Sequence, residues 1–362
     1  TVGAGGGAIA GVDAAGMLFV GPEGAGARPG PAAYGFGGTE PTITDALLVL
    51  GRLRAGSYAG GAIRLDPGLA RQAIQQSVAT PLGIDVETAA AGIIELLEQK
   101  LLGAVQRLSI ERGYDTRRFV LVAAGGAGPM HGASIGRLLQ CRSVYVPRLS
   151  GAFCALGMLH ADVRHDFVRG YVRRLDDASD DELETIFAGL EREGRRTLAD
   201  SGMSGDSIVL RREMDLRYLG QQWDVRVVLD GAVTERGKLR DDFEREYSRL
   251  YGHFQPSGVL EVTKLRVVAL GLLPTLATEG PPPAQAAATP TERRRAFLGF
   301  EHGWADTDVY RGATLRPGHR IQGPLIVEEE TTTVFVGPQD LLEIDAAGNY
   351  LIHLVSAGEG AQ

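Results

Sequence analysis

Apolar positions along this chain change their period several times, and the changes divide it into elements. Phe119 to Ala123, FVLVA, is a continuous apolar run that stops at Gly125-Gly126, which predicts a buried, central strand. Past Gly128 and Pro129 the small and apolar residues Ala133, Ile135, Leu138 and Leu139 recur at helical spacing, so a helix opens where the glycines end. Val12 to Val20 predicts a hairpin turning at Ala15-Gly16. Thr39 to Leu53 passes from loop to helix, with Thr44 or Asp45 as the N-cap ahead of Leu47, Leu48, Leu50 and Leu53. Residues 66–82 and 85–113 read as helices, the second with Ile93, Ile94, Leu97, Leu101 and Val105 on one face. Ser143 to Val146 reads as a short strand closed by Pro147.

From Phe167 glycine thins and charge rises. A strand over 168–172, a charged amphipathic helix over 180–201 and a hairpin over 211–228 around Gly220 follow, then a helix over 239–252 and an alternating strand over 259–271. Pro281 to Thr291, PPPAQAAATPT, reads as a low-complexity linker. Strands near Phe297, Val309, Leu325 and Thr332 and over 350–355 make a small β module. With 362 residues the chain exceeds one ordinary domain. The expected layout is an α/β layer over 1–166, an α+β region over 167–280, and the linker with its β module over 281–362.

Composition narrows the function classes. Fifty glycines are about twice the average share of roughly 7%, and they concentrate in the first 150 residues, where they read as turns at a site. A net charge of −8 and a pI near 5.5 leave no basic footprint, which argues against nucleic acid and anionic membrane as partners. Two cysteines make no disulfide framework, and no signal peptide or apolar run of about 18 residues is visible, so a cytoplasmic location is expected. The chain starts at Thr1 without Met, as a piece excised or processed from something longer would.

Two glycine clusters are candidate backbone cradles. Gly125, Gly126 and Gly128 stand between a strand and a helix N-terminus, where bare backbone and unpaired N–H groups suit the anionic groups of a nucleotide. A tight βα turn is the alternative. Gly5, Gly6 and Gly7, in TVGAGGGAIA, are either a second cradle for phosphate oxygens or a tightly packed hairpin. Gly21 to Gly38 is a long irregular loop of the kind that carries function. Beside it Asp45 is either a helix cap or a carboxylate for metal or water. His160, Asp162 and His165 are either metal ligands or polar loop residues; histidines five apart need not share a helix face.

Several motifs together, TVGAGGGAIA, GPEGAGARPGPAAYG, GGTEPTITDALLVLGRL, GGAGPMHG, VPRLSGAFCALGMLHADVRHD, RYLGQQWDV and GPLIVEEETTT, resemble in content and order the hydantoinase A, oxoprolinase and acetone carboxylase β-subunit family. The resemblance covers nearly the whole chain and corresponds to the later part of the family's polypeptide. Its early segment, with an Asp-x-Gly-Gly-Thr phosphate loop, is absent from this sequence. The resemblance implies an actin-like ATPase fold of the sugar kinase and chaperone superfamily, with ATP between two halves. TVGAGGGAIA would then be a phosphate loop and VAAGGAGPMHG the adenosine-side loop. On this reading Gly5, Gly6, Gly7, Gly125, Gly126 and Gly128 are expected as nucleotide contacts, Asp45 as a carboxylate for metal or water, and His131 as a donor to phosphate or carbonyl, with a packing residue at a helix start as the alternative for His131. It assigns no metal ligands.

The family resemblance also implies ATP with Mg²⁺, a lactam, hydantoin or ketone substrate, a hydantoinase B-type subunit and the missing N-terminal segment as partners. Ala8, Ala33, Leu47, Cys154, Glu244 and Tyr247 depart from the family pattern, which bears on the substrate more than on the fold. The competing readings are a nucleotide-binding or structural subunit without turnover, a ketone carboxylase subunit, and a hydrolase using Thr1 as nucleophile and amine base. This chain alone is expected not to turn over ATP.

Overall fold

The computed structural model describes residues 2–58, 61–230, 233, 235–274 and 280–355. Thr1 lies outside the described residues, and with it the threonine-hydrolase reading. The chain forms two compact units, Thr1–Leu156 with Thr278–Gln362, and Gly157–Ala277. These boundaries differ from the expected ones because the C-terminal strands are not a module of their own.

In the first unit β1 (Ala8–Val12) and β2 (Leu18–Gly24) pair antiparallel, turning at Gly16 with φ 78°. The helix α1 (Ile43–Val49) is buried along its whole length. Its N-cap is Thr42 rather than Thr44 or Asp45: the Thr42 side chain accepts from the Asp45 N–H while Asp45 reaches back to the Thr42 N–H. That reciprocal capping box needs an acceptor side chain at the third helical position, which Asp45 supplies. A short hairpin, β3 (Gly56–Tyr58) with β4 (Ile63–Leu65), precedes α2 (Pro67–Ile74), a π-helical turn over Gln75–Ala79 and α3 (Thr80–Leu82). Then come α4 (Val86–Leu108), β5 (Val120–Val122), α5 (Gly128–Leu138), β6 (Ser143–Val146) and α6 (Phe153–Leu159), in which the first boundary falls. The helices α1, α2 and α4 share one core through Ile43, Leu47, Ile74, Ile93, Ile94 and Leu97.

The second unit is an antiparallel sheet with two helices. The strands β7 (Val163–Arg174), β8 (Ile208–Tyr218), β9 (Val225–Val228) and β10 (Leu260–Gly271) lie in the order β7-β10-β8-β9. The helices α7 (Asp180–Asp200) and α8 (Arg236–Tyr251) bury Leu183, Phe187, Phe243 and Tyr247 with Met214, Leu216, Val262 and Leu265 of the sheet. Every element expected in this stretch is present, with ends moved by a few residues.

The chain returns to the first unit with β11 (Glu292–Phe297), β12 (Trp304–Arg311), β13 (Arg320–Gln322), β14 (Leu325–Glu328), β15 (Thr333–Val336), β16 (Leu341–Ile344) and β17 (Tyr350–His353). One sheet runs β11-β12-β14-β15, and the other β13-β16-β17-β6-β5. In the second, Tyr350 pairs with Val146 and His353 with Ser143. A four-residue strand such as SVYV has too little surface to bury alone; Val144 and Val146 share a core with Leu325, Val334, Leu342 and Ile352. Nor is the 281–291 stretch a free linker: Ala284 donates to the Pro317 carbonyl and the Ala286 carbonyl lies 2.9 Å from His319 Nε2.

A further sequence expectation is overturned. The FVLVA strand is not central: β5 pairs only with β6, and it lies at the edge of its sheet. Phe119, Val120 and Val122 are 50%, 48% and 53% exposed. Only Leu121 and Ala123 turn inward, toward α5 and β6, so the apolar run is covered on one face alone. No helix among the described residues is long and apolar enough to cross a membrane.

Candidate functional site

The first glycine loop enters β1 and is held from the α1 N-terminus. Thr44 donates to the Gly6 carbonyl twice, from its N–H and its Oγ1, each at 2.9 Å. The Gly5 carbonyl accepts from Ala8 N–H and the Gly7 carbonyl from Ala25 N–H, both at 2.9 Å. All three carbonyls are thus turned into the protein. Among the described residues none takes the N–H of Gly5, Gly6 or Gly7.

The second loop repeats the arrangement. The Gly125 carbonyl accepts from Ser150 Oγ at 3.0 Å, and the Gly126 carbonyl from Thr332 Oγ1 at 2.9 Å. Gly125 has φ 92°, a conformation that glycine adopts without the cost of a Cβ. The helix α5 starts at Gly128 with no side-chain cap, and the N–H groups of Gly126, Ala127 and Gly128 find no acceptor among the described residues. Pro129 at the next position has no N–H to satisfy. Small residues let α5 sit close to its sheet: a Cβ on Gly136 would lie 2.5 Å from Val144 Cγ2.

The two loops meet. A Cβ placed on Gly6 would lie 3.8 Å from the Ala127 Cβ. Neither packing nor backbone angle accounts for the bareness of Gly5 and Gly7, since a Cβ there meets nothing within 4 Å and φ is not positive. At Gly128 the nearest atom is the Ala123 carbonyl carbon at 3.9 Å. Consecutive N–H groups without an acceptor among the described residues, one set at a helix start, suit anionic oxygens. The glycine positions therefore fit the phosphates of a nucleotide.

Of the two readings of Asp45, helix cap or carboxylate for metal or water, the structure shows the side chain capping α1 together with Thr42. Asp45 is fully buried, and its oxygens accept from Ala32 N–H (3.2 Å), Ala33 N–H (2.7 Å), Thr42 N–H (2.8 Å) and Thr42 Oγ1 (2.8 Å). Burial pushes its carboxyl above the ordinary range, and these donors pull it back. With its acceptor capacity turned to four protein donors, it ties the 21–38 loop to α1 rather than presenting an oxygen to metal or water.

His131, 2% exposed, sits in the first turn of α5, with Nδ1 3.0 Å from Glu98 Oε1. Assigning the proton to Nδ1 leaves Nε2 of the neutral ring an acceptor, so donation to a phosphate requires the imidazolium. Nε2 is buried without a partner among the described residues.

The possible metal ligands do not assemble. Asp162 Oδ1 accepts from Leu273 N–H, His165 lies beside Phe167, and His160 is exposed. Among the described residues no three His, Cys, Asp or Glu side chains are grouped to hold a metal. Sequence reasoning missed the supports of the loops, Thr44, Ser150 and Thr332. Their signal lay in the motifs TITDALL, VPRLSGAF and EEETTT, in which Thr44 was read as a cap, Thr332 as part of a strand, and Ser150 was given no role.

The chain is 39% identical over 361 residues to the caprolactamase subunit alpha of Pseudomonas jessenii, covering 97% of this chain and 51% of that one. A crystal structure titled as ATP-dependent caprolactamase from the same organism shares 37% identity and a TM-score of 0.77 over 96% of this chain and 52% of that chain. The nucleotide-free structure of acetone carboxylase, titled for ATP-dependent acetone carboxylation, shares 28% identity and a TM-score of 0.81 over 97% and 52%. The mixed α/β fold is therefore common to all three, and this chain spans about half the length of the relatives it matches. The model of the hydantoinase/oxoprolinase family matches residues 1–167 and that of the hydantoinase/oxoprolinase C-terminal domain residues 174–357, so the chain belongs to the hydantoinase/oxoprolinase family.

Proposed function

We propose that this chain supplies the nucleotide-holding part of an enzyme that uses ATP to activate an amide or ketone carbonyl. The observation that carries the reading is the shared pattern of the two loops, in which carbonyls accept internal hydrogen bonds while the N–H groups of Gly5–Gly7 and Gly126–Gly128 have no acceptor among the described residues. When bound, ATP supplies a phosphoryl group that makes a carbonyl oxygen a good leaving group, chemistry that relies on positioning and charge neutralisation. This chain's residues provide the positioning. Thr44, Ser150 and Thr332 fix the loops, Asp45 fixes the adjoining 21–38 loop, and Glu98 orients His131.

Higher identity to a caprolactamase subunit than to the acetone carboxylase structure favours a cyclic amide over a ketone. In this reading the chain works with a hydantoinase B-type subunit and an N-terminal segment of the family, in an actin-like arrangement where the other half completes the nucleotide site. Mg²⁺ belongs to the reading as a companion of the phosphates.

The test is nucleotide binding and turnover. Calorimetric titration of the full chain with an ATP analogue should show weak binding, lost by about tenfold or more in Gly7→Val and Gly128→Val with the melting temperature kept. ATP turnover should need the N-terminal segment and the B-type subunit. Unchanged binding in both variants would defeat the site, and Mg²⁺-dependent turnover by the chain alone would defeat the half-site reading.

A further inference from the structure

A cavity of about 940 Å³ in the first unit lies between α4, α5 and the turn after β11, and no residue of either glycine loop lines it. Its volume is that of a small-molecule site. Arg52 forms part of its wall and is only 5% exposed. The guanidinium carbon stands 4.4 Å from the centre of the Phe335 ring, Nε donates to the Phe297 carbonyl at 2.9 Å, and Nη1 has no partner among the described residues. Glu98 and Glu95 are in the same wall. Glu98 gives Oε1 to His131 and makes no ion pair with Arg52, although the two feel each other's charge. The cavity's other arginine, Arg137, is already held by Asp340 Oδ2 at 2.6 Å.

A nearly buried cation and nearby carboxylates thus line one cavity without an ion pair between them. We propose that the cavity binds an aliphatic amino acid as its zwitterion, with the carboxylate at Arg52 and the ammonium at Glu98 and Glu95. A simple anion there would face Glu95, Glu98 and Glu301, a simple cation would face Arg52, and a neutral molecule would bring no charge to the guanidinium, whose Nη1 has no partner among the described residues. A zwitterion answers both charges, and Ile94, Phe297, Leu298 and Phe300 receive its methylenes.

The inference goes beyond the nucleotide reading and does not need it. It meets that reading in one respect: hydrolysis of a cyclic amide breaks the C–N bond, puts the oxygen of water on the acyl carbon and a proton on nitrogen, and yields an open amino acid.

The experiment is calorimetric titration of the full chain with amino acids of increasing amine-to-carboxylate separation, from glycine to 6-aminohexanoate. Each is compared with its N-acetyl form, its methyl ester and the lactam of the same carbon count. At least one free amino acid should bind about tenfold or more tightly than its blocked forms and its lactam. Glu98→Gln and Arg52→Lys should each weaken it, and Glu95→Gln, at an exposed position, tests the ammonium end should the buried variants misfold. Absence of binding by every free amino acid to the folded protein, or equal binding of blocked forms or lactam, would overturn the proposal. An ATP-analogue titration run alongside reads the nucleotide site separately.

Discussion

Thr332 donates its Oγ1 hydrogen to the carbonyl of Gly126 at 2.9 Å, joining the C-terminal strands to the glycine turn between β5 and α5. The same hydroxyl lies 3.4 Å from the Gly125 carbonyl, and Thr332 is 5% exposed. Thr332→Val keeps the shape and removes the donor from a part-buried hydrogen bond, at a cost of about 0.5–1.5 kcal/mol. Chemical denaturation should show that loss, together with weaker nucleotide binding. Full stability with intact binding would show that the contact does not hold the loop.

Asp45 tests positioning against chemistry. Four donors converge on two carboxylate oxygens, and an asparagine would offer one acceptor oxygen and turn an NH₂ group toward donors. Asp45→Asn should therefore destabilise nearly as much as Asp45→Ala, by about 3 kcal/mol or more, because several buried N–H groups lose their acceptor. A stable Asp45→Asn protein that had lost only turnover would return Asp45 to a chemical role.

What the sequence disclosed and what it hid follow from the range of the forces. The period of Leu183, Phe187 and Leu190 and the alternation along 259–271 are local, and the second unit's elements were legible from them. Both glycine clusters were legible too, because a run without side chains contradicts helix and strand alike. That they come within reach of one ligand was expected from the family resemblance, whereas the support that brings Gly6 beside Ala127, α1 delivering Thr44 to Gly6, was not legible. The edge position of β5 was hidden for the same reason: FVLVA reads alike whether one face or two are covered. The joining of 143–146 to 350–353 is a pairing of distant segments that no local pattern encodes.

That long-range join has a pH signature. Tyr145 in β6 donates its hydroxyl to Asp345 Oδ2 at 2.9 Å, and burial followed by this partner pushes its pKa up to about 12, against about 10 in an unfolded chain. The folded state holds the proton more tightly, so this stabilisation is complete below about pH 10 and is lost as pH rises through about 12. The stability difference between the native protein and Tyr145→Phe, from denaturation at a series of pH values, should shrink across that window. A difference that stays constant would show that the tyrosine does not titrate in this environment.

The central claim is that the N–H groups of both loops hold the phosphates of one nucleotide. The most direct measurement is an amide NMR titration of the isotope-labelled full chain with a non-hydrolysable ATP analogue, following Gly5, Gly6, Gly7, Gly126, Ala127 and Gly128. Amides of both loops should shift together and fit one dissociation constant, with the buried Met214 and Leu216 amides of the second unit unmoved. Shifts confined to one loop, or absent from both while the analogue binds elsewhere, would contradict it.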